Sequence, residues 1–457
     1  MQEKHRLAII YSKGKRMKKL AILIFFLPLL AVAQSVEVQE HMLKNGMKVL
    51  LVEDHTVPSI CYYVYFKVGG RHEKLGTTGI SHLFEHMMFN GSSKYKPGEF
   101  DRILESGGGY SNGSTWNDFT NYWEEFNSDL LEKVFDLEAD RMRTLKLDTD
   151  NLEQERGIVK EERRVSVENN VRSKLYEELY AAAFVAHPYQ NPVVGWMGDL
   201  DNITLNDCKE FFRINYAPNN AVVVLTGDFK SDEALKKIKA YFEKIPAQKQ
   251  SRQPNNPEPE QKGEKRLKFH KAAQLPAVTI GYKGVAVSDS NYYAAEVLAL
   301  ILSRGQSSRL YKQLVYEKQM CTQVSAWADD YVDPGLFGFY AQMKQGFTTD
   351  QAEKEIYDIL EAAKKDGVTP QELQKAKNTA QADYVRRFKT NQGTGFILGY
   401  YEVLFSGYKK AFDVVSAYAK VTSDDIKRLA NKLFDEQKRT VVTLVPEKAE
   451  TTSHVIE

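Results

Sequence analysis

The stretch "TTGISHLFEHMMFNGS", residues 77–92, sets two histidines and a glutamate into a segment with helical periodicity. At about 100° per residue, Ile80, Leu83, Phe84, Met87 and Met88 fall on one side, as a core-facing stripe does. His82, Glu85 and His86 fall opposite, spread over roughly 100°. Positions i and i+4 lie one turn apart on one face, so His82 and His86 can offer two imidazole nitrogens to one cation. Glu85, beside the second histidine, can reach a water on that cation without being a ligand. The competing reading is an ordinary solvated helix face. A catalytic zinc takes three protein ligands and keeps one open position, so the metal reading needs a third ligand from elsewhere.

The stretch "NLEQERGIVKEERRVSVENN", residues 151–170, is the strongest source of one. It reads as a helix in which Glu155 and Glu162, seven residues apart, nearly align two turns along one face. Glu161 lies about 100° away from Glu162 and faces away from Glu155. A Glu/Arg-rich helix can equally be a salt-bridged surface.

Together these segments resemble the pitrilysin/insulinase-type zinc peptidases, the inverzincins, including their processing-peptidase and exported bacterial branches. In "GISHLFEHMMFNGS" His86 is separated by 75 intervening residues from Glu162 of "ERGIVKEE", and "FKVGGRHE", "GGGYSNGSTWNDFTNY", "HPYQNPVVGWMGDLDNIT" and "SRGQSSRLYKQLVYEKQM" follow family order. The resemblance implies one Zn2+ per chain on His82, His86 and Glu162. Glu85 would be the general base, and Glu155 would support the site from behind the ligands. It further implies that Asn112, Gly113, Ser114 and Thr115, running to Trp116, form an edge strand on which an extended peptide docks. The implied activity is endopeptidase cleavage of peptides or unfolded segments.

Family members carry an arginine and a tyrosine seven residues apart in a later domain. In "LVYEKQMCTQ" the matching places hold Val315 and Thr322, which cannot serve an oxyanion as those groups do. The chain is therefore expected to be half of a clamshell, with a related non-catalytic subunit supplying the missing pair in a heterodimer; a homodimer is the other possibility. Arg304 and Arg309 read as surface arginines rather than stand-ins, and His187 as holding its loop or touching substrate. The alternative function is a non-catalytic or metal-binding structural subunit, for which Glu85 would have no use.

A chain of 457 residues is too long for one core. Strand-like "MKVLLVEDHTVPSICYYVYFKVGG" precedes the histidine segment, and "LPAVTIGYKGVAV" precedes the apolar helix "SNYYAAEVLALILSR". Mixed strands and helices argue for an α+β fold with two similar α/β-layer domains, each a mixed sheet packed with helices. The polar, Pro-rich seam "PAQKQSRQPNNPEPEQKGEK" reads as a linker over 248–264, between a catalytic domain at 36–247 and a non-catalytic one at 265–457. From Met17, "MKKLAILIFFLPLLAVAQS" has the three-part form of a signal peptide with cleavage after Ala33, hence export to a periplasmic or extracellular site, or membrane association if uncleaved. Losing residues 1–33 removes seven Lys/Arg and one Glu and takes the formal charge from +1 to −5. Such a chain has no basic block for nucleic acid. Cys61, Cys208 and Cys321 are odd in number and widely spaced, and fit small buried residues better than a metal or disulfide set.

Overall fold

The computed structural model describes residues 36–250, 254 and 256–447. The signal peptide expected over residues 1–33 lies outside them, as do 251–253 and 255 of the expected linker. Among the described residues no helix is long and apolar enough to cross a membrane.

Two mixed sheets organise the chain. The first holds β1 (Gln39–Met42), β2 (Lys48–Glu53), β3 (Ser59–Phe66), β4 (Tyr110–Thr115), β5 (Thr120–Asn127) and β6 (Ala221–Gly227), in the order β1-β2-β6-β3-β5-β4. The second holds β7 (Lys265–Ala272), β8 (Ala277–Lys283), β9 (Cys321–Ala328), β10 (Leu336–Met343) and β11 (Arg439–Glu447), in the order β7-β11-β8-β10-β9. With β1 set aside the two orders correspond strand for strand. Each sheet has one parallel pair, β2 with β6 and β7 with β11, and antiparallel pairing elsewhere. The similarity of the two halves, faint in sequence, is thus explicit in topology.

The sheets are covered on both faces, which is why β3, "SICYYVYF", is buried without alternation from Ile60 to Phe66. Tyr62, Val64 and Phe66 enter a core with Leu83 and Phe84 of the Ile80–Met87 helix. Tyr63 and Tyr65 point to the other face, against Gly395 and Gly399 of the Asn391–Leu404 helix. That helix comes from the second half of the chain. In return, Leu175, Leu179 and Ala183 of the Val171–Ala183 helix, from the first half, pack on Ala277, Leu336 and Val442 of the second sheet. Each half lends a helix to the other's sheet. Between the sheets, residues 256–264 run without regular structure, and Glu258 accepts hydrogen bonds from the backbone N–H groups of Val185, Ala186 and His187.

Close approach at the lent helix demands glycine. A Cβ on Gly399 would lie 2.0 Å from Cε2 of Tyr65, whose hydroxyl donates to the Phe396 carbonyl at 3.0 Å. Gly399→Ala is expected to lower stability by about 1–3 kcal/mol in urea denaturation. Gly198→Ala, with nothing within 4 Å of the added carbon, should stay within about 0.5 kcal/mol. Equal stability of the two variants would mean that Tyr65 does not pin the helix.

Candidate metal centre

The Ile80–Met87 helix, hereafter the histidine helix, begins at Gly79 with φ +88°, a conformation that favours glycine. Glu73 caps it: its two carboxylate oxygens accept from the N–H groups of Gly79 at 2.7 Å and Ser81 at 2.8 Å. Burial pushes the Glu73 carboxyl up to about 7, against the pull of those donors. Ile80, Leu83, Phe84 and Met87 are buried, and this inward stripe turns His82, Glu85 and His86 to the opposite side.

The partner is the Thr149–Arg163 helix, hereafter the glutamate helix, capped by Asp148, which accepts from Asn151 N–H at 2.9 Å. Two buried arginines fix its rotation. Arg156 donates to the carbonyls of Leu200 and Ile203, and Arg163 grips Glu177 with both nitrogens, at 2.8 and 3.1 Å, and lies over the Trp196 ring. With that face anchored, Glu155 and Glu162 turn towards the histidine helix. Glu161 points to solvent and pairs with Arg164.

Ligand atoms of His82, His86 and Glu162 all lie within 4.8 Å of one another. Nε2 of His86 is 3.3 Å and Nε2 of His82 3.7 Å from Oε2 of Glu162, and the two rings stand 4.9 Å apart, nearly edge to face. Behind them Glu155 is 3.4 Å from Nδ1 of His86 and accepts from Asn90 Nδ2 at 2.8 Å through its other oxygen. A proton on Nδ1 facing Glu155 leaves the Nε2 lone pair of His86 for a cation. Two imidazoles and one carboxylate fit a divalent metal such as zinc, with a fourth position left to solvent or substrate. Burial holds His82 down to about 4, so its ring is neutral and ready to ligate. Burial also opposes charge on His86, but the Glu155 hydrogen bond and the charges of Glu162 and Glu85 outweigh it and raise its pKa.

Glu85 stands outside this ligand set. The Thr115 hydroxyl donates to its carboxylate at 2.7 Å, while burial raises its pKa. Thr115 ends β4, the edge strand of the first sheet. A Cβ on Gly113 would be 3.0 Å from Cγ of Glu85, so this edge passes directly over the acid. Asn112 accepts from Gly113 N–H, and Ser114 donates to Asn121 and accepts from Trp116 Nε1.

His187 holds its own loop: its Nδ1 accepts from Tyr189 N–H, and its Nε2 is 3.2 Å from Asp333. Arg309 is engaged by Glu372 and Arg304 by Asp383. Val315 lies in the wide helical turn Tyr311–Glu317 and Thr322 in β9. Two contacts went unread in the sequence. Asn90 lies in the turn that follows the histidine helix, and its bond to Glu155 spans 65 residues, so neither residue marks it locally. The bond from Thr115 to Glu85 joins residues 30 apart and has no local mark either.

Replacing Glu155 by Gln is expected to weaken zinc binding by about 10–100-fold in competition with a chromophoric chelator, whereas Glu161→Gln leaves it unchanged. Zinc affinity should also fall as pH drops. His86 keeps its proton to a higher pH than an ordinary histidine, and an ion must displace that proton. Affinity that stays flat as His86 is protonated would contradict the ligand assignment.

The insulinase (peptidase family M16) profile matches residues 48–195, and the peptidase M16 inactive domain profile matches residues 202–380. The chain is 33% identical to the zinc protease PqqE of Helicobacter pylori over 88% of its own length and 92% of that protein's. It superposes on the crystal structure of a protease from Helicobacter pylori with TM-score 0.86 at 32% identity, covering 90% of this chain and 100% of that one. It is also 22% identical to a probable mitochondrial-processing peptidase subunit beta of Arabidopsis thaliana, over 86% of this chain and 76% of that one. This chain therefore belongs to the insulinase-type M16 peptidase family.

Proposed function

We propose that the chain is an exported zinc-dependent endopeptidase acting on peptides or unfolded segments. The observation that carries this reading is the meeting of His82, His86 and Glu162 with Glu85 beside them but outside the ligand set. Relatives named as zinc proteases support the choice of metal and of reaction class. When bound, the ion supplies Lewis acidity, which polarises a carbonyl and lowers the pKa of a ligated water towards about 7.

The chain's own residues do the rest. Glu85 accepts a proton from the attacking water and delivers it to the leaving amine. The Thr115 hydroxyl holds one Glu85 oxygen, and the other is left to take the proton in this reading. The β4 edge can pair with an extended backbone regardless of its side chains, which predicts loose sequence preference. Val315 and Thr322 cannot stabilise an oxyanion, so a related subunit contributes an arginine and a tyrosine from across a closed chamber. A relative named as a beta subunit supports a paired assembly. The signal-peptide-like composition of residues 17–33 supports export.

The test is Glu85→Gln, assayed for bound zinc and for cleavage of a quenched peptide, with and without a candidate partner. Zinc should stay near one per chain while cleavage falls by about 10²–10⁴-fold. Wild-type cleavage by the zinc-loaded variant would remove Glu85 as the base. Zinc-loaded wild type that cleaves nothing, alone or paired, would favour a structural subunit.

A further inference from the structure

The repeated topology gives the metal corner a counterpart. In the first half the corner is built from the helix between β3 and β4, the edge strand β4 and the glutamate helix. In the second half the matching elements are the Tyr292–Ser303 helix between β8 and β9, the edge strand β9 and the Pro370–Arg387 helix. Among the described residues no histidine lines this second corner. A cavity of about 310 Å3 opens there instead, lined among others by Tyr292, Glu296, Asp330, Tyr384, Tyr400 and Tyr418. It shares no residue with the metal centre.

Its two inner carboxylates are half-buried, and among the described residues their side-chain hydrogen bonds come from phenols. Tyr418 donates to Glu296 at 2.6 Å, and Tyr400 donates to Asp330. No lysine or arginine forms an ion pair with either acid among the described residues. Arg387 also lines the cavity and acts on both acids through its charge, without an ion pair to either. Burial pushes the Glu296 carboxyl up to about 7, and the Asp330 charge adds to the rise. Buried carboxylates are ordinarily paired with a cation, and tyrosine faces attract ammonium groups.

We propose that this cavity binds a primary alkylammonium group, carried by a free aliphatic amine or by a lysine side chain. The volume far exceeds that of a bare ion, since one water takes about 30 Å3. Each acid already gives one oxygen to a phenol, which disfavours the two-oxygen grip of a guanidinium fork. An ammonium has three donors on one atom and can meet a single oxygen of each acid and a phenol together.

Calorimetric titration of the full zinc-loaded chain tests this with 1,5-diaminopentane, a blocked lysine amide and the uncharged 1,5-pentanediol. At least one amine should bind saturably and about tenfold or more tighter than the diol. Binding of the diamine identifies a free amine as ligand, and binding of the lysine amide alone identifies a side chain. Folded Glu296→Gln should weaken that amine by about tenfold or more, and Tyr418→Phe by less. Amines that bind no better than the diol would overturn the proposal, with no variant needed. So would a folded Glu296→Gln chain with undiminished amine binding.

Discussion

The structure depends on how the histidine helix and the glutamate helix are held against each other. Gathering two imidazoles and two carboxylates in a partly buried place is unfavourable unless a cation or protons neutralise them. The fold imposes the gathering from outside. Arg156 and Arg163 lock the rotation of one helix, and Glu73 with the inward stripe of Leu83, Phe84 and Met87 locks the other. His82 stays neutral because it is buried, and Glu155 orients His86. The fold itself thus brings the ligand atoms of His82, His86 and Glu162 within 4.8 Å of one another.

That rigidity rests on a duplicated architecture with an exchange. Each half has the same strand order, and each sheet is closed by a helix from the other half, so neither sheet is covered by its own half alone. Duplication also separates roles. One corner has kept imidazoles and a nearby proton acceptor, while the matching corner has tyrosines and acids on the same elements. The same scaffold position can therefore favour a metal in one half and an organic cation in the other.

Much of the centre was readable because helical geometry is local. The opposite faces of "ISHLFEHM" follow from the 3.6-residue period, and the same period separates Glu162 from Glu161. The strands of both halves announce themselves through apolar runs such as "AVVVLTG" and "AVTIGYK". What stayed hidden is what topology supplies. Nothing in "QGTGFILGYYEVL" says that its glycines lie on Tyr63 and Tyr65 of the other half's sheet. Thr115 carries no local mark of its bond to Glu85, because a hairpin and a helix must first be folded together. The cavity around Glu296 has the same character: its tyrosines come from separate helices.

Zinc-edge anomalous diffraction from crystals of the zinc-loaded chain tests the central claim most directly. The account predicts one strong peak coordinated by Nε2 of His82, Nε2 of His86 and a carboxylate oxygen of Glu162, with Glu85 close by but not bound. A peak ligated elsewhere, or one from which Glu162 is absent, would contradict it.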